Sequence, residues 1–353
     1  MRRYLYFFVI SVSVVYGPVA FLSFIFEPST GDLTRIGGYA ERDFGWNSPK
    51  PILNLDSNGK FIADPDVLVL GHSFSLGNVW QTVLAAKINR KILSFHFAQV
   101  GCISNWIDYA LKQSKADTIV VEVIERTFLR NFEHLSPCQF RDPLPFERPT
   151  TTTVSTRRKW PLDLHIKQTF LIAWNTFDSK LNPEMPLRGR VNSKGESVVN
   201  APLKEHCALF SNRRADRLLY LGQDEDKLHW RPEEVDRAIV TIKQIQKRFE
   251  RQGKAFILIV VPDKLSVYQD CLKNDSRLEA RKRINVTKLL IASGVNTPDL
   301  LSAFHDSSNN VVDLYYPNDT HLSESGYIFM AEQLEQFLWA NRISGFTVDV
   351  PPL

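Results

Sequence analysis

The chain has 353 residues, 44% hydrophobic and 23% charged, an ordinary globular composition with room for one large α/β domain or two smaller ones. Its formal net charge is only +4, and no dense Lys/Arg block is interleaved with aromatics, which argues against a nucleic-acid partner. Four scattered cysteines, Cys102, Cys138, Cys207 and Cys271, show neither CxxC nor Cys/His metal spacing; disulfides and buried thiols both stay open.

Met1-Arg2-Arg3 precedes an uncharged stretch from Tyr4 to Phe26, YLYFFVISVSVVYGPVAFLSFIF. As a helix it is long enough to cross a hydrocarbon core of roughly 30 Å. A cleaved signal peptide has an apolar region of roughly 7–15 residues and a small-x-small exit. Neither is clear here, so residues 1–26 are expected to form an uncleaved membrane anchor. The two arginines ahead of the span put the N-terminus on the cytoplasmic side and the body on the other. Residues 27–62, rich in Gly, Pro, Asn and Asp, read as a linker.

A domain is expected over 63–345. Val67-Leu68-Val69-Leu70 is a continuous apolar run, the pattern of a strand buried on both faces. A helix over 75–89, a strand over 92–97, a helix over 105–115 and a strand over 118–124 follow. Such alternation predicts parallel βαβ units. Residues 131–231, dense in Pro, Arg, Thr and Asn, break the rhythm and read as a long insertion, with a separate small domain as the alternative. The rhythm resumes with a helix over 232–252, the strand AFILIVV at 255–261 and a helix over 276–293. The segment Asp313–Tyr316 and a helix from Ser323 to about Ala340 close the chain.

In open parallel sheets, ligands bind beyond the carboxyl ends of the strands. Three segments fall there: Gly71-His72-Ser73, Glu125-Arg126 and Pro262-Asp263-Lys264. A serine in a tight strand-to-helix turn presents its hydroxyl, and N–H groups at the helix start can hold an oxyanion. Gly71 supplies the small residue such a turn needs. A nucleophilic serine requires a base, and the base an orienting group. His321, in Asn318-Asp319-Thr320-His321-Leu322-Ser323, has Asp319 two residues before it, and Ser323 is placed to cap the last helix.

Blander readings stand beside these. Ser73 alone is an ordinary N-cap, His72 a turn residue and His96 a core or interface residue of its strand. Arg126 is either at the site or a buried ion-pair partner of a carboxylate such as Glu122 or Glu125. Lys264 either binds an acidic sugar or is structural. Trp80, Trp106, Trp160 and Trp174 are either a sugar platform or core, the latter favoured. Asn285-Val-Thr and Asn318-Asp-Thr match the glycosylation pattern, which carries no meaning in a bacterial protein.

VLGHSFS at 69–75 together with DTHLSESGY at 319–327 resembles the SGNH (GDSL-type) hydrolase superfamily. VVEVIER at 120–126, VPDKLSVY at 261–268 and the Asp-x-His spacing are most similar to its alginate O-acetyltransferase branch, the AlgX/AlgJ-like proteins. The likeness covers roughly residues 60–130 and 255–340. It implies a flavodoxin-like three-layer α/β fold with a parallel sheet, and it implies Ser73 as nucleophile, His321 as base and Asp319 as orienter.

The implied reaction moves an acetyl group through the serine to a hydroxyl of an exported polysaccharide. A membrane-bound O-acyltransferase often supplies the acetyl group, and no cofactor or metal is implied. His72 stands where the family has aspartate, and Asp-x-His follows the serine in the chain, as in ordinary SGNH hydrolases. The Gly-x-Asn-Asp block is absent, with Ile124-Glu125-Arg126 in its place. The oxyanion donors are therefore open: Ser73 N–H, Gly101 N–H, and the side chains of Asn105 or Arg126. An esterase with the same triad and a silent glycan-binding scaffold are the competing functions.

Overall fold

The computed structural model describes residues 3–8, 10–11, 13–14, 17, 30–47, 64–100, 103–133, 190–191, 196–273, 284–341 and 343. In chain order the strands are β1 (Val67–Gly71), β2 (Ile92–His96), β3 (Thr118–Ile124), β4 (Arg190–Val191), β5 (Ser197–Pro202), β6 (Arg217–Leu221) and β7 (Ala255–Val261). The chain divides into two compact units. The smaller comprises Met1–Ser48, Ser155–Gln223 and Tyr316–Thr320, and the larger comprises Pro49–Val154, Asp224–Tyr315 and His321–Leu353.

The larger unit holds a parallel sheet in the order β2-β1-β3-β7. Every residue of β3 is buried, because helices cover both faces of the sheet. On one face Leu68, Leu70, Ile119, Val121 and Val123 meet Ile107 and Ala110 of the helix Ile103–Lys112. Val235, Ile239 and Ile242 of the helix Pro232–Glu250 join the same core. On the other face Val67, Val120, Ile257 and Ile259 meet Trp80 and Leu84 of the helix Val79–Ile88, with Leu334 and Leu338 of the helix Glu324–Ala340. These last two helices lie side by side, and Lys87 reaches Glu335 at 3.1 Å. Each such aliphatic side chain contributes about 1.5–3 kcal/mol by leaving water, so the three-layer core dominates the unit's stability.

Local chemistry sets the helix ends. Pro232 opens its helix, and the Glu234 side chain accepts the Arg231 N–H at 3.1 Å. Val235, Ala238, Ile239, Ile242, Ile245 and Phe249 then repeat at helical spacing on the buried face. Ser323 caps the final helix as expected, its Oγ accepting the Gly326 N–H at 3.3 Å. At Gly326 a Cβ would meet the Leu314 carbonyl oxygen at 2.0 Å, so the turn tolerates only glycine.

Three expectations change in detail. The helix over 75–89 is two helices, Ser73–Leu76 and Val79–Ile88, because Asn78 adopts a left-handed φ of 51°. Of the helix over 276–293, Val286–Ala292 is observed, capped by the side chain of Asn285, and 274–283 lie outside the described residues. A helix at Leu300–Ser307, capped by Asp299, had no counterpart in the sequence reading.

The smaller unit carries an antiparallel sheet in the order β4-β5-β6. The helices Asp32–Gly37 and Glu41–Phe44 bring Leu33 and Phe44 to Val198, Leu219 and Leu221. Residues read as linker and residues read as insertion therefore share one core. Tyr316–Thr320 joins it: Asn318 O accepts the N–H groups of Leu33 and Thr34 at 3.0 and 3.3 Å.

The described residues among 3–17 are helical, and Tyr4, Leu5, Phe7, Phe8, Ile10 and Val14 are exposed. Among the described residues no helix is long and apolar enough to cross a membrane. The rest of the expected anchor and most of the insertion lie outside the described residues, as do Cys102 and Cys138. Cys207 and Cys271 each take part in a disulfide.

Candidate active site

β1 and β3 are neighbours, while the chain proceeds outward from them in opposite directions to β2 and β7. That reversal opens a crevice at the carboxyl ends of β1 and β3. The stretch that fills it is His72 and the short helix Ser73–Leu76, directly after β1. A Cβ on Gly71 would lie 2.1 Å from Ser75 Oγ and 3.0 Å from Glu122 Oε2, so the turn packs against its own strand only with glycine there.

The turn is fastened from several sides. Glu122 of β3 is fully buried; its Oε2 accepts the His72 N–H at 2.8 Å and the Ser75 hydroxyl at 2.8 Å. The Trp80 indole N–H donates to Ser75 Oγ at 3.2 Å, and the Gln81 amide donates to Ser75 O at 2.9 Å. Ser75 N–H closes the turn on His72 O at 2.9 Å. On this frame the half-buried Ser73 places its hydroxyl 3.2 Å from His72 Nδ1.

The electrostatics of the two groups differ in sign. Burial, then the positive charges of His96, Arg126, Arg130 and His321, push the His72 imidazole down to about 4. It is neutral at neutral pH and able to accept the serine hydroxyl. Burial pushes the Glu122 carboxyl up to about 7, against hydrogen bonds from Ser75 and His72 and the charge of His321. Glu122 Oε1 is buried without a hydrogen-bond partner among the described residues.

His321 stands beside this turn, its ring 5.1 Å from that of Phe74, the residue after Ser73. The larger unit thus places His321 against the turn that carries His72 and Ser73. Asp319 belongs to the smaller unit, where its Oδ2 accepts the Asp32 N–H at 3.0 Å. Asp32 in turn accepts from the Thr320 N–H at 2.8 Å. Nothing in the composition of residues 27–62 marked Asp32 as a neighbour of Asp319.

Of the two readings of Arg126, the structure has the ion pair, with aspartates rather than the glutamates named as examples. Its Nη1 lies 2.5 Å from Asp263 Oδ1 and 3.3 Å from Asp224 Oδ1. Lys227 Nζ contacts Glu125 Oε2 at 2.8 Å, Asp263 Oδ2 at 3.0 Å and Ser266 Oγ at 2.5 Å. The Arg126 charge still reaches His72. Lys264 is buried at 1% exposure, which suits its structural reading. Asn105 is half-buried in the helix Ile103–Lys112, and Gly101 lies outside the described residues. His96 is half-buried and ends β2, with its ring 6.0 Å from that of His72. Trp80 and Trp106 are core residues, while Trp160 and Trp174 lie outside the described residues.

Comparison with known proteins matches residues 216–345 to a family model described as the SGNH hydrolase-like domain of the acetyltransferase AlgX. The chain therefore resembles the AlgX type of SGNH protein over this part. The match includes Asp319, His321, β7 and the Arg126 partners Asp224 and Asp263, and leaves Ser73 and Glu122 outside it. No curated protein and no solved structure matches the chain significantly.

Proposed function

We propose that the protein is a membrane-anchored, extracytoplasmic O-acetyltransferase of the SGNH type that acts on an exported polysaccharide. The observation that carries this reading is the Ser73 turn. A serine hydroxyl sits at the switch point of a parallel sheet, hydrogen-bonded to a neutral imidazole, with His321 against the Phe74 ring of the same turn. The match to an AlgX-type domain over residues 216–345 supports acyl-group chemistry. Exposed apolar residues on the N-terminal helix support an anchor, and disulfide-bonded Cys207 and Cys271 suit an oxidising compartment.

In the proposed reaction Ser73 Oγ attacks the acetyl carbonyl of the donor while His321 takes the hydroxyl proton. Asp319 orients His321 and stabilises its charged form. The oxyanion is held by N–H groups at the start of the helix Ser73–Leu76, with Gly101 and Asn105 as candidate further donors. His321 returns the proton to the departing donor group, leaving acetyl-Ser73. A sugar hydroxyl then attacks, its proton passes to His321, and collapse releases the sugar ester and free serine. A membrane-bound O-acyltransferase would deliver the donor acetyl group.

The test compares wild type and Ser73→Ala with 4-nitrophenyl acetate, with and without an oligosaccharide acceptor. Turnover should fall on the order of 1,000-fold or more in the variant, and wild type should yield acetylated sugar. Unchanged turnover in the variant overturns the enzymatic reading. Release of acetate alone, indifferent to the sugar, assigns the protein as an esterase instead.

A further inference from the structure

The triad reading makes no use of Glu122, yet this is the side chain to which the serine turn is tied. Along β3 the sequence TIVVEVI is apolar except at Thr118 and Glu122, and all seven residues are buried. An ionisable group in such a strand is costly unless it answers specific donors. Glu122 answers two, and both belong to the turn: the peptide N–H ahead of Ser73 and the hydroxyl two residues after it. Gly71 leaves the room for that approach, since a Cβ there would press on both Ser75 Oγ and the carboxylate.

We propose that Glu122 is a positioning residue for the nucleophile: its carboxyl clamps His72 N–H and Ser75 Oγ and so fixes where the Ser73 hydroxyl points. The clamp acts through the turn and touches no reacting atom. Its catalytic consequence rests on the acyl-transfer reading above; its structural consequence does not.

The groups around the clamp define its pH response. After β1 there is His72, at the end of β2 His96, beyond β3 Arg126 and Arg130, and ahead of the last helix His321. β7 presents Ile259 opposite Glu122, and the helix Val79–Ile88 presents the neutral Trp80 and Gln81. Oε1, lacking a partner among the described residues, is the oxygen free to take a proton while Oε2 keeps both bonds. The clamp therefore persists in both protonation states, and what changes through about pH 7 is the negative charge beneath the turn.

The experiment uses the full chain and the variants Glu122→Gln, Glu122→Ala and Ser75→Ala, with two readouts. One is kcat and KM for 4-nitrophenyl acetate across pH 5–9; the other is amide hydrogen exchange at residues 72–76. Glu122→Ala should lower kcat on the order of 100-fold with KM little changed, the scale of a small misplacement of a reacting group. It should also speed exchange at 72–76 while far-ultraviolet circular dichroism stays native. Glu122→Gln, which keeps an acceptor, should restore kcat to within a few-fold of wild type and remove an inflection near pH 7. Ser75→Ala should show a smaller loss. Wild-type exchange at 72–76 in Glu122→Ala overturns the proposal whatever the activity. If wild type shows no turnover but Glu122→Ala loosens the turn, the acyl-transfer reading falls and the clamp stands.

Discussion

Two buried charged groups lie near the carboxyl edge of the parallel sheet and are handled in different ways. Just past β3 and β7, three carboxyl groups (Glu125, Asp224 and Asp263) are met by two cations, Arg126 and Lys227, in direct contact. Inside β3, Glu122 is fully buried with hydrogen-bond donors and no salt bridge among the described residues. The first arrangement offsets the cost of taking charge out of water with opposite charge, so it is a fixed structural joint. The second leaves the cost standing, and the group responds by holding its proton up to about pH 7. The difference separates a scaffold from a site.

Removing a cation from the paired cluster breaks the comparison most severely. Lys227→Met would leave three carboxyl groups to Arg126 alone, in a place where Lys227 is 4% exposed. The expected loss is about 3–5 kcal/mol, read from urea unfolding at pH 7. A loss under about 1 kcal/mol would show that the cluster is not the joint described.

The lone carboxyl gives a smaller effect that depends on pH. Its folded value is raised from 4.5 to about 7, so folding favours the protonated form. The resulting contribution to stability is complete below about pH 4.5, weakens as pH rises and is lost through pH 7. Glu122→Gln has no such proton to lose. Thermal unfolding should find the variant close to wild type at pH 5 and more stable at pH 8, on the order of 2 kcal/mol. Parallel stability curves for the two proteins would refute the charge argument.

How much of this was legible in the sequence follows from the distance over which each feature is encoded. The apolar runs at 67–70, 118–124 and 255–261 carry their strands locally, and all three strands appear in the parallel sheet. Ser73 and His321 were legible by residue type and by what flanks them. Glu122 was read only as an ion partner for Arg126, although an acid inside TIVVEVI, facing a serine turn across the switch point, was the signal. The smaller unit was not legible. Its bonds join Asn47 to Ser211 and Asp32 to Asp319, separations of 164 and 287 residues, and no local periodicity reports such pairings. Its helices at Asp32–Gly37 and Glu41–Phe44 are short and lie in a polar stretch, so they are stabilised by the core they join rather than by intrinsic propensity.

The smallest effect sharpens the comparison from inside the paired cluster. Asp263 bridges both cations, one oxygen to each, whereas Asp224 meets Arg126 at 3.3 Å and accepts the Leu265 N–H. Burial, and then the negative charge of Asp263, push the Asp224 carboxyl well above the ordinary carboxylate range, against the pull of Arg126 and Lys227. Asp224 therefore behaves in part like Glu122, as a carboxyl already inclined to be neutral. Asp224→Asn should keep the shape of the group and remove a charge the cluster scarcely holds, leaving stability at pH 7 within about 1 kcal/mol of wild type. A loss as large as that of Lys227→Met would mean that Asp224 is ionised, and that the two cations neutralise three full charges rather than two.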